Sequence, residues 1–154
     1  MRRKDREITD SAVLKPILDA ADVCRIAFAG EEPYMVAMNF GYVWNEKLLL
    51  YFHCAKQGRK LELIRNNGRV CFQLDTDHKL MQGETACHWG MGYKSIVGYG
   101  TISIVEAIQE KRIGLDAIMR HYCFEGEPSY EKSIFDETAV LRLEVSEMTG
   151  KAKG

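Results

Sequence analysis

Residues 48–66 read LLLYFHCAKQGRKLELIRN. From Leu48 to Cys54 the run is apolar enough to be a strand buried on both faces. From Gly58 the pattern changes. GRKLELIRN sets Leu61 and Ile64 at helical spacing with charges opposite them, and the NNG that follows is a stop. A buried strand therefore delivers His53 and Cys54 to its end, and a short helix opens a few residues later at Gly58, Arg59 and Lys60.

Upstream, VCRIAF (Val23 to Phe28) and YMVAMNFGYV (Tyr34 to Val43, ending near Gly41) read as strands joined by the turn AGEEP, with NEK turning into Leu48. Consecutive hairpins are implied, and the pairing brings Ala37, Met38 and Asn39 close to Phe52 and His53. Downstream, RVCFQLD alternates Val70, Phe72 and Leu74 against Cys71 and Gln73. Thr76 to Gly92 carries no clear element and is expected to be a long loop. SIVGYGTISIV (Ser95 to Val105) is a strand whose Gly98 and Gly100 suit a sharply curved sheet.

EAIQEKRIGLDAIMRHY is the strongest helix, with Ile108, Leu115, Ile118, Met119 and Tyr122 on one face. AVLRLEVSE closes the chain as a strand. Near the start, Asp10 or Ser11 caps SAVLKPILDAAD, where Pro16 predicts a kink or a start nearer Lys15. The charged MRRKDRE ahead of it belongs on the surface. About six strands in local order, one long helix and shorter ones elsewhere predict a mainly β fold with peripheral helices (α+β), as a small closed or split antiparallel barrel.

The 154 residues fit one domain, 1–154, and 46% hydrophobic residues can fill its core. With 21 Lys+Arg against 22 Asp+Glu the net charge is −1, so no global field exists to hold nucleic acid or an anionic membrane. Five cysteines without CxxC spacing and no apolar leader predict a reduced, cytoplasmic protein. No apolar run approaches a bilayer span.

Three chemistries compete for YFHCAKQGRK. The spacings of Cys54, Cys71, Cys87, His53, His88 and His121 match no zinc pattern, and Cys24 and Cys71 read as small strand hydrophobes, so no metal is expected. His53–Cys54 and Cys87–His88 are adjacent, which on a strand sends the two side chains to opposite faces and argues against a Cys/His nucleophile. A phosphate has more support. A helix opening at Gly58 offers free N–H groups, Arg59 a bidentate grip and Lys60 a point charge. Lys94 and Ser95, opening the YKSIVGYG strand, could join that cluster. The strand Tyr34 to Phe40 offers an apolar face and backbone hydrogen bonds to a planar cofactor.

Together, YMVAMNFGYV, LYFHCAKQGRK and YKSIVGYG resemble the FMN-binding split-barrel superfamily of pyridoxamine-phosphate oxidase, most closely its nitroimidazole-resistance-like branch. The resemblance runs nearly end to end. It implies a six-stranded split barrel and a homodimer holding FMN at the subunit interface with residues from both chains. Val36, Ala37, Met38 and Asn39 would flank the flavin ring, with His53 and Cys54 close by. Gly58, Arg59 and Lys60 would grip the phosphate, and Lys94 and Ser95, where the family often has Arg-Ser, would reach phosphate or ribityl. His53 would be the proton donor or substrate-side contact, and Trp89 in the loop could cover the flavin. The implied activity is FMN-dependent reduction of a small acceptor such as a nitro-aromatic. Alternatives are storage or sensing of flavin or heme, a deazaflavin in place of FMN, and vitamin B6 phosphate oxidation, whose C-terminal substrate residues have no match here.

Overall fold

A computed structural model describes residues 4–154, so the opening of MRRKDRE lies outside the described residues. The strands are β1 (Glu7–Ile8), β2 (Cys24–Phe28), β3 (Tyr34–Met38), β4 (Phe40–Trp44), β5 (Leu48–Ala55), β6 (Arg69–Met81), β7 (Gly90–Ile104) and β8 (Thr138–Lys153). The helices are α1 (Ser11–Ala20), α2 (Arg59–Asn66), α3 (Ile108–His121) and α4 (Lys132–Glu137). One antiparallel sheet runs β3-β2-β6-β7-β8-β5-β4, with β1 added to β8. Among the described residues no helix is long and apolar enough to cross a membrane.

The sheet bears out the antiparallel split barrel, with eight strands where about six were expected. One of the two extra strands is the short β1, and the other comes from YMVAMNFGYV, which is two strands rather than one. β3 pairs with β2, Met38 opposite Cys24, whereas β4 pairs with β5, Phe40 opposite Phe52. These are the two ends of the sheet, and the single residue Asn39 joins them. No hydrogen-bonded ladder closes the barrel there; the chain itself does.

β5 is buried on both faces, as its run of apolar residues requires. Leu48, Leu50 and Phe52 enter the barrel core with Ile26, Phe72 and Leu141. Tyr51 points the other way, into a second cluster with Leu115, Ala117 and Ile118 of α3 and Val140 of β8. Gly114 and Gly41 let α3 lie close: a Cβ on Gly41 would stand 2.3 Å from the Ala117 carbonyl. Ile108, expected on the buried face of α3, is 69% exposed because it belongs to the first turn, beyond the edge of the sheet's cover.

Two other expectations are corrected. The Thr76–Gly92 excursion is mostly strand: β6 runs on to Met81 and β7 starts at Gly90. A bulge between Thr76 and Lys79, with Asp77 at φ 56°, breaks the alternation there, which erased the strand signal. α1 starts at Ser11 and continues through Pro16, with Asp10 accepting from the Ala12 N–H at 2.9 Å. Burial of Leu14, Ile17 and Leu18, at about 1.5–3 kcal/mol each, outweighs the lost hydrogen bond. Gly98 and Gly100 do mark the curved part of β7. A Cβ there would fall 2.5 Å from the Phe72 ring and 2.2 Å from the Glu144 carbonyl, beside a second bulge.

Candidate functional site

The barrel's split opens into a groove of about 740 Å³. Ala37, Met38 and Asn39 line one side, from the end of β3 through the junction. His53, Cys54 and Ala55 come from the end of β5, and Lys60 from the first turn of α2. Ser133, Ile134 and Glu137 of α4, with Thr138 at the start of β8, form the remaining wall. Both walls of the split belong to edge strands, so β3 and β4 each direct a row of backbone N–H and C=O groups away from their one partner.

The junction is held by one hydroxyl. Tyr122 Oη accepts from Asn39 Nδ2 (3.1 Å) and from the Phe40 N–H (3.2 Å), and donates to the Asp22 carbonyl (2.6 Å). Beside it His121 bonds the Ala21 carbonyl through Nε2 at 2.8 Å and packs against the Phe40 ring, centroids 4.3 Å apart and planes tilted by 43°. The end of α3 thus fixes where the two edges of the sheet meet.

His53 is exposed on the α3 side of β5, and among the described residues its imidazole has no hydrogen-bond partner. Cys54 turns inward against the barrel core yet still reaches the groove. Burial pushes its thiol up from the ordinary value, with the Lys60 charge opposing, so the sulfur keeps its proton and is no thiolate nucleophile. Among the described residues no three His, Cys, Asp or Glu side chains gather as a metal site.

Gly58 has φ 128° and ψ 165°, a conformation open to glycine alone. No side chain caps α2. The Leu61 and Glu62 N–H groups return to the Gly58 carbonyl at 3.0 and 3.4 Å, which leaves the Arg59 and Lys60 amides at the open end. The two cations, expected to act as a pair, face different spaces. Lys60 lines the groove, and among the described residues no carboxylate is within ion-pair distance of it. Arg59 lines a separate cavity, pairs with Glu32 at 3.2 Å and lies 4.8 Å over the Tyr34 ring.

Val36 packs into the core, so only its backbone can serve the groove. Within one chain Lys94 and Ser95 do not meet Arg59 and Lys60. Lys94 pairs with Asp77 at 2.8 Å near the chain's end, and Ser95 sits opposite Asp75. Trp89 does not line the groove; its Nε1 closes its own loop on the Gly83 carbonyl at 2.8 Å. Sequence reasoning missed the α4 wall. The available signal was the Lys132–Asp136 pair, an ion pair one helical turn apart flanking Ile134 and Phe135.

An antiparallel barrel split at one strand junction, with a groove over the split, places this molecule among the split-barrel proteins. The chain belongs to the pyridoxamine 5'-phosphate oxidase family, whose model matches residues 10–152. It is 34% identical to a candidate 5-nitroimidazole antibiotic resistance protein from Bacteroides thetaiotaomicron, with a TM-score of 0.81 over 95% of this chain and 86% of that one. The FAD and heme binding protein from Mycobacterium smegmatis shares the fold at 17% identity (TM-score 0.83, 97% and 74% covered). So does the flavocytochrome Anf3 from Azotobacter vinelandii, at 17% identity (TM-score 0.81, 100% and 72% covered). No curated protein matches the sequence.

Proposed function

We propose that the chain binds FMN in the split groove and, as a homodimer, acts as an oxidoreductase that reduces a small acceptor such as a nitro-aromatic. The observation that carries this reading is the convergence of Ala37, Met38, Asn39, His53, Cys54 and Lys60 on one groove beside the uncapped start of α2. Its volume of about 740 Å³ lies within the usual ligand range of about 300–1,000 Å³.

The residues fit the group. Edge-strand backbone at Val36 to Asn39 can meet the polar rim of a flavin ring, and the apolar Ala37 and Met38 can lie against its plane. Lys60 and the first amides of α2 offer a charged and a dipolar contact to phosphate. Arg59 can join them, because its exposed pair with Glu32 is worth little. Bound there, FMN would carry electrons from an external reductant to the acceptor. His53, facing the groove with no competing partner among the described residues, would donate a hydrogen bond or a proton to the acceptor.

Lys94 and Ser95, remote from the groove of their own chain, would reach the cofactor from a second copy. Supporting a partner there, Met35, Val97 and Tyr99 are apolar and exposed on the barrel's outer face. The five free cysteines, Cys24, Cys54, Cys71, Cys87 and Cys123, support a reducing, cytoplasmic setting.

The test is the absorption spectrum of the purified protein, with its chromophore released and identified, followed by anaerobic reduction and addition of a nitroimidazole. Bound FMN that is reoxidised by the nitroimidazole supports the reading. Bound flavin without turnover would reduce it to a binding or storage role, and failure to take up added FMN would overturn it.

A further inference from the structure

α4 separates the groove from a cavity of about 430 Å³ on its other side. Ser133, Ile134 and Glu137 face the groove, Phe135 and Asp136 face the cavity, and Thr138 alone lines both. Three cations from different elements converge on this cavity. Lys56 follows the end of β5, Arg65 lies in the last turn of α2, and Lys111 comes from the start of α3. Among the described residues none of the three has a carboxylate within ion-pair distance. The floor beneath them is apolar, made by Leu61, Ile104, Ala139 and the Phe135 ring.

The fold holds these like charges together without counter-ions. Lys111 Nζ donates to the Phe135 carbonyl and lies 4.3 Å from the centroid of the Phe135 ring, which fixes it at the wall. Burial, and then the Lys56 charge, lower its pKa from the ordinary value against the opposing pull of Asp136 and Glu137. Two carboxylates line the cavity. Asp136 is engaged by Lys132 of its own helix, whereas Glu106 is exposed. α3 begins beside Glu106 with no side-chain cap, so its positive end adds to the field.

We propose that this cavity binds an organic phosphate monoester, with the dianionic head among Lys56, Arg65 and Lys111 and a short apolar body on the floor. A tetrahedral head presents three oxygens to three donors, one of them the bidentate fork of Arg65, whereas a flat carboxylate has only two oxygens to offer. The charges match as well. Asp136 is offset by Lys132, and the three cations less Glu106 leave two positive charges, as many as a monoester carries above its second pKa of about 6. The volume suits a small organic body within the usual range of about 300–1,000 Å³. The site is separate from the one that Lys60 serves and does not rest on the flavin reading.

The experiment uses the full chain saturated with FMN, at slightly alkaline pH and low salt, with phenyl phosphate as the probe and phenol and inorganic phosphate as controls. Amide chemical shifts should move saturably at Lys56, Arg65, Lys111 and Phe135. Phenol should show no saturable shift there, and inorganic phosphate should bind about tenfold more weakly for want of the apolar body. Lys56→Gln and Arg65→Gln, both exposed and free of packing duties, should each weaken phenyl phosphate about tenfold at an unchanged melting temperature. Glu106→Gln should tighten it about twofold or more, a gain that a merely structural role would not give.

Phenol bound as tightly as phenyl phosphate would overturn the proposal. So would an affinity unmoved by both Lys56→Gln and Arg65→Gln. Phenyl phosphate that binds only when FMN is withheld would make the cavity part of the cofactor's own site and overturn it too. Failure to take up FMN, with phenyl phosphate still bound and sensitive to the two variants, would overturn the flavin reading and support this one.

Discussion

Lys60 and Arg59 are neighbours in sequence and serve different surroundings, because successive helical side chains point about 100° apart. Lys60→Ala should weaken FMN binding by about 1.5–3 kcal/mol, the scale of a charge-assisted hydrogen bond, read by flavin fluorescence quenching. Arg59→Ala should cost less than about 1 kcal/mol in the same titration, since an exposed ion pair is worth little before or after the swap. The double variant should lose FMN affinity while keeping its fold. A titration in which Arg59 outweighs Lys60 would reverse the assignment of the two cations. Another residue sets acid sensitivity. Asp75 is partly buried, which works against its charge, yet Gln73, Arg25 (2.5 Å) and His78 (2.6 Å) together hold its carboxyl below the ordinary 3.8. A depressed folded-state pKa means its stabilisation is in place above that value and is lost as pH falls through the lower one. Asp75→Asn should therefore flatten the acid limb of stability against pH, measured by urea midpoints. An unchanged limb would assign that limb to other carboxylates. The sequence named the residue types of the site, since Ala37, Met38, Asn39, His53, Cys54 and Lys60 do converge. It could not orient Arg59, because the uncapped first turn of α2 carries no signal for which side faces the ligand.

At the scale of elements, α3 does two jobs: it covers the outer face of β5 and it pins the split through Tyr122. Tyr122→Phe removes the acceptor for Asn39 Nδ2 and the Phe40 N–H, and should cost about 1 kcal/mol because water can replace part of it at this exposed site. Faster amide exchange confined to the Asn39–Phe40 junction would accompany it; uniform exchange would show that the hydroxyl is not the clasp. The packing of α3 makes a sharper comparison. A Cβ at Gly114 would fall 2.7 Å from the Tyr51 ring, whereas one at Gly41 would meet α3 backbone at 2.3 Å. A ring can tilt and a helix backbone cannot give locally, so Gly41→Ala should destabilise more than Gly114→Ala, for which about 1–3 kcal/mol is expected by thermal or urea unfolding. Elements with a steady period were legible, namely β5, α2, α3 and the outer parts of β7 and β8. The rest was hidden where the period is interrupted by design: by the bulge at Asp77 in β6, by Asn39 between two strands that share no partner, and in α4, whose six residues are too short for periodicity to show.

At the scale of the molecule, the site needs a second copy if Lys94 and Ser95 are to serve it. Val97→Glu, placing a carboxylate on the exposed outer face of β7, should shift the protein to a monomer by size-exclusion light scattering and weaken FMN in step. A monomer that binds FMN unchanged would confine the site to one chain. That the barrel itself was foreseeable follows from the order of hairpins along the chain, and what could not be foreseen is how it shuts. Asn39 joins strands at opposite ends of the sheet, so the groove is complete only when both the β2–β3 and the β4–β5 hairpins have docked. β5 in turn waits for β8, which lies far along the chain. The assembly of the ligand groove is therefore expected late in folding, after β8 has crossed back over α3 and α4 to pair with both β7 and β5 and the loop entropy of that long crossing has been overcome. Lesions at the split should accordingly speed unfolding while leaving the folding rate nearly untouched, which makes the groove the first part of the barrel to open and the part a bound ligand most effectively keeps shut.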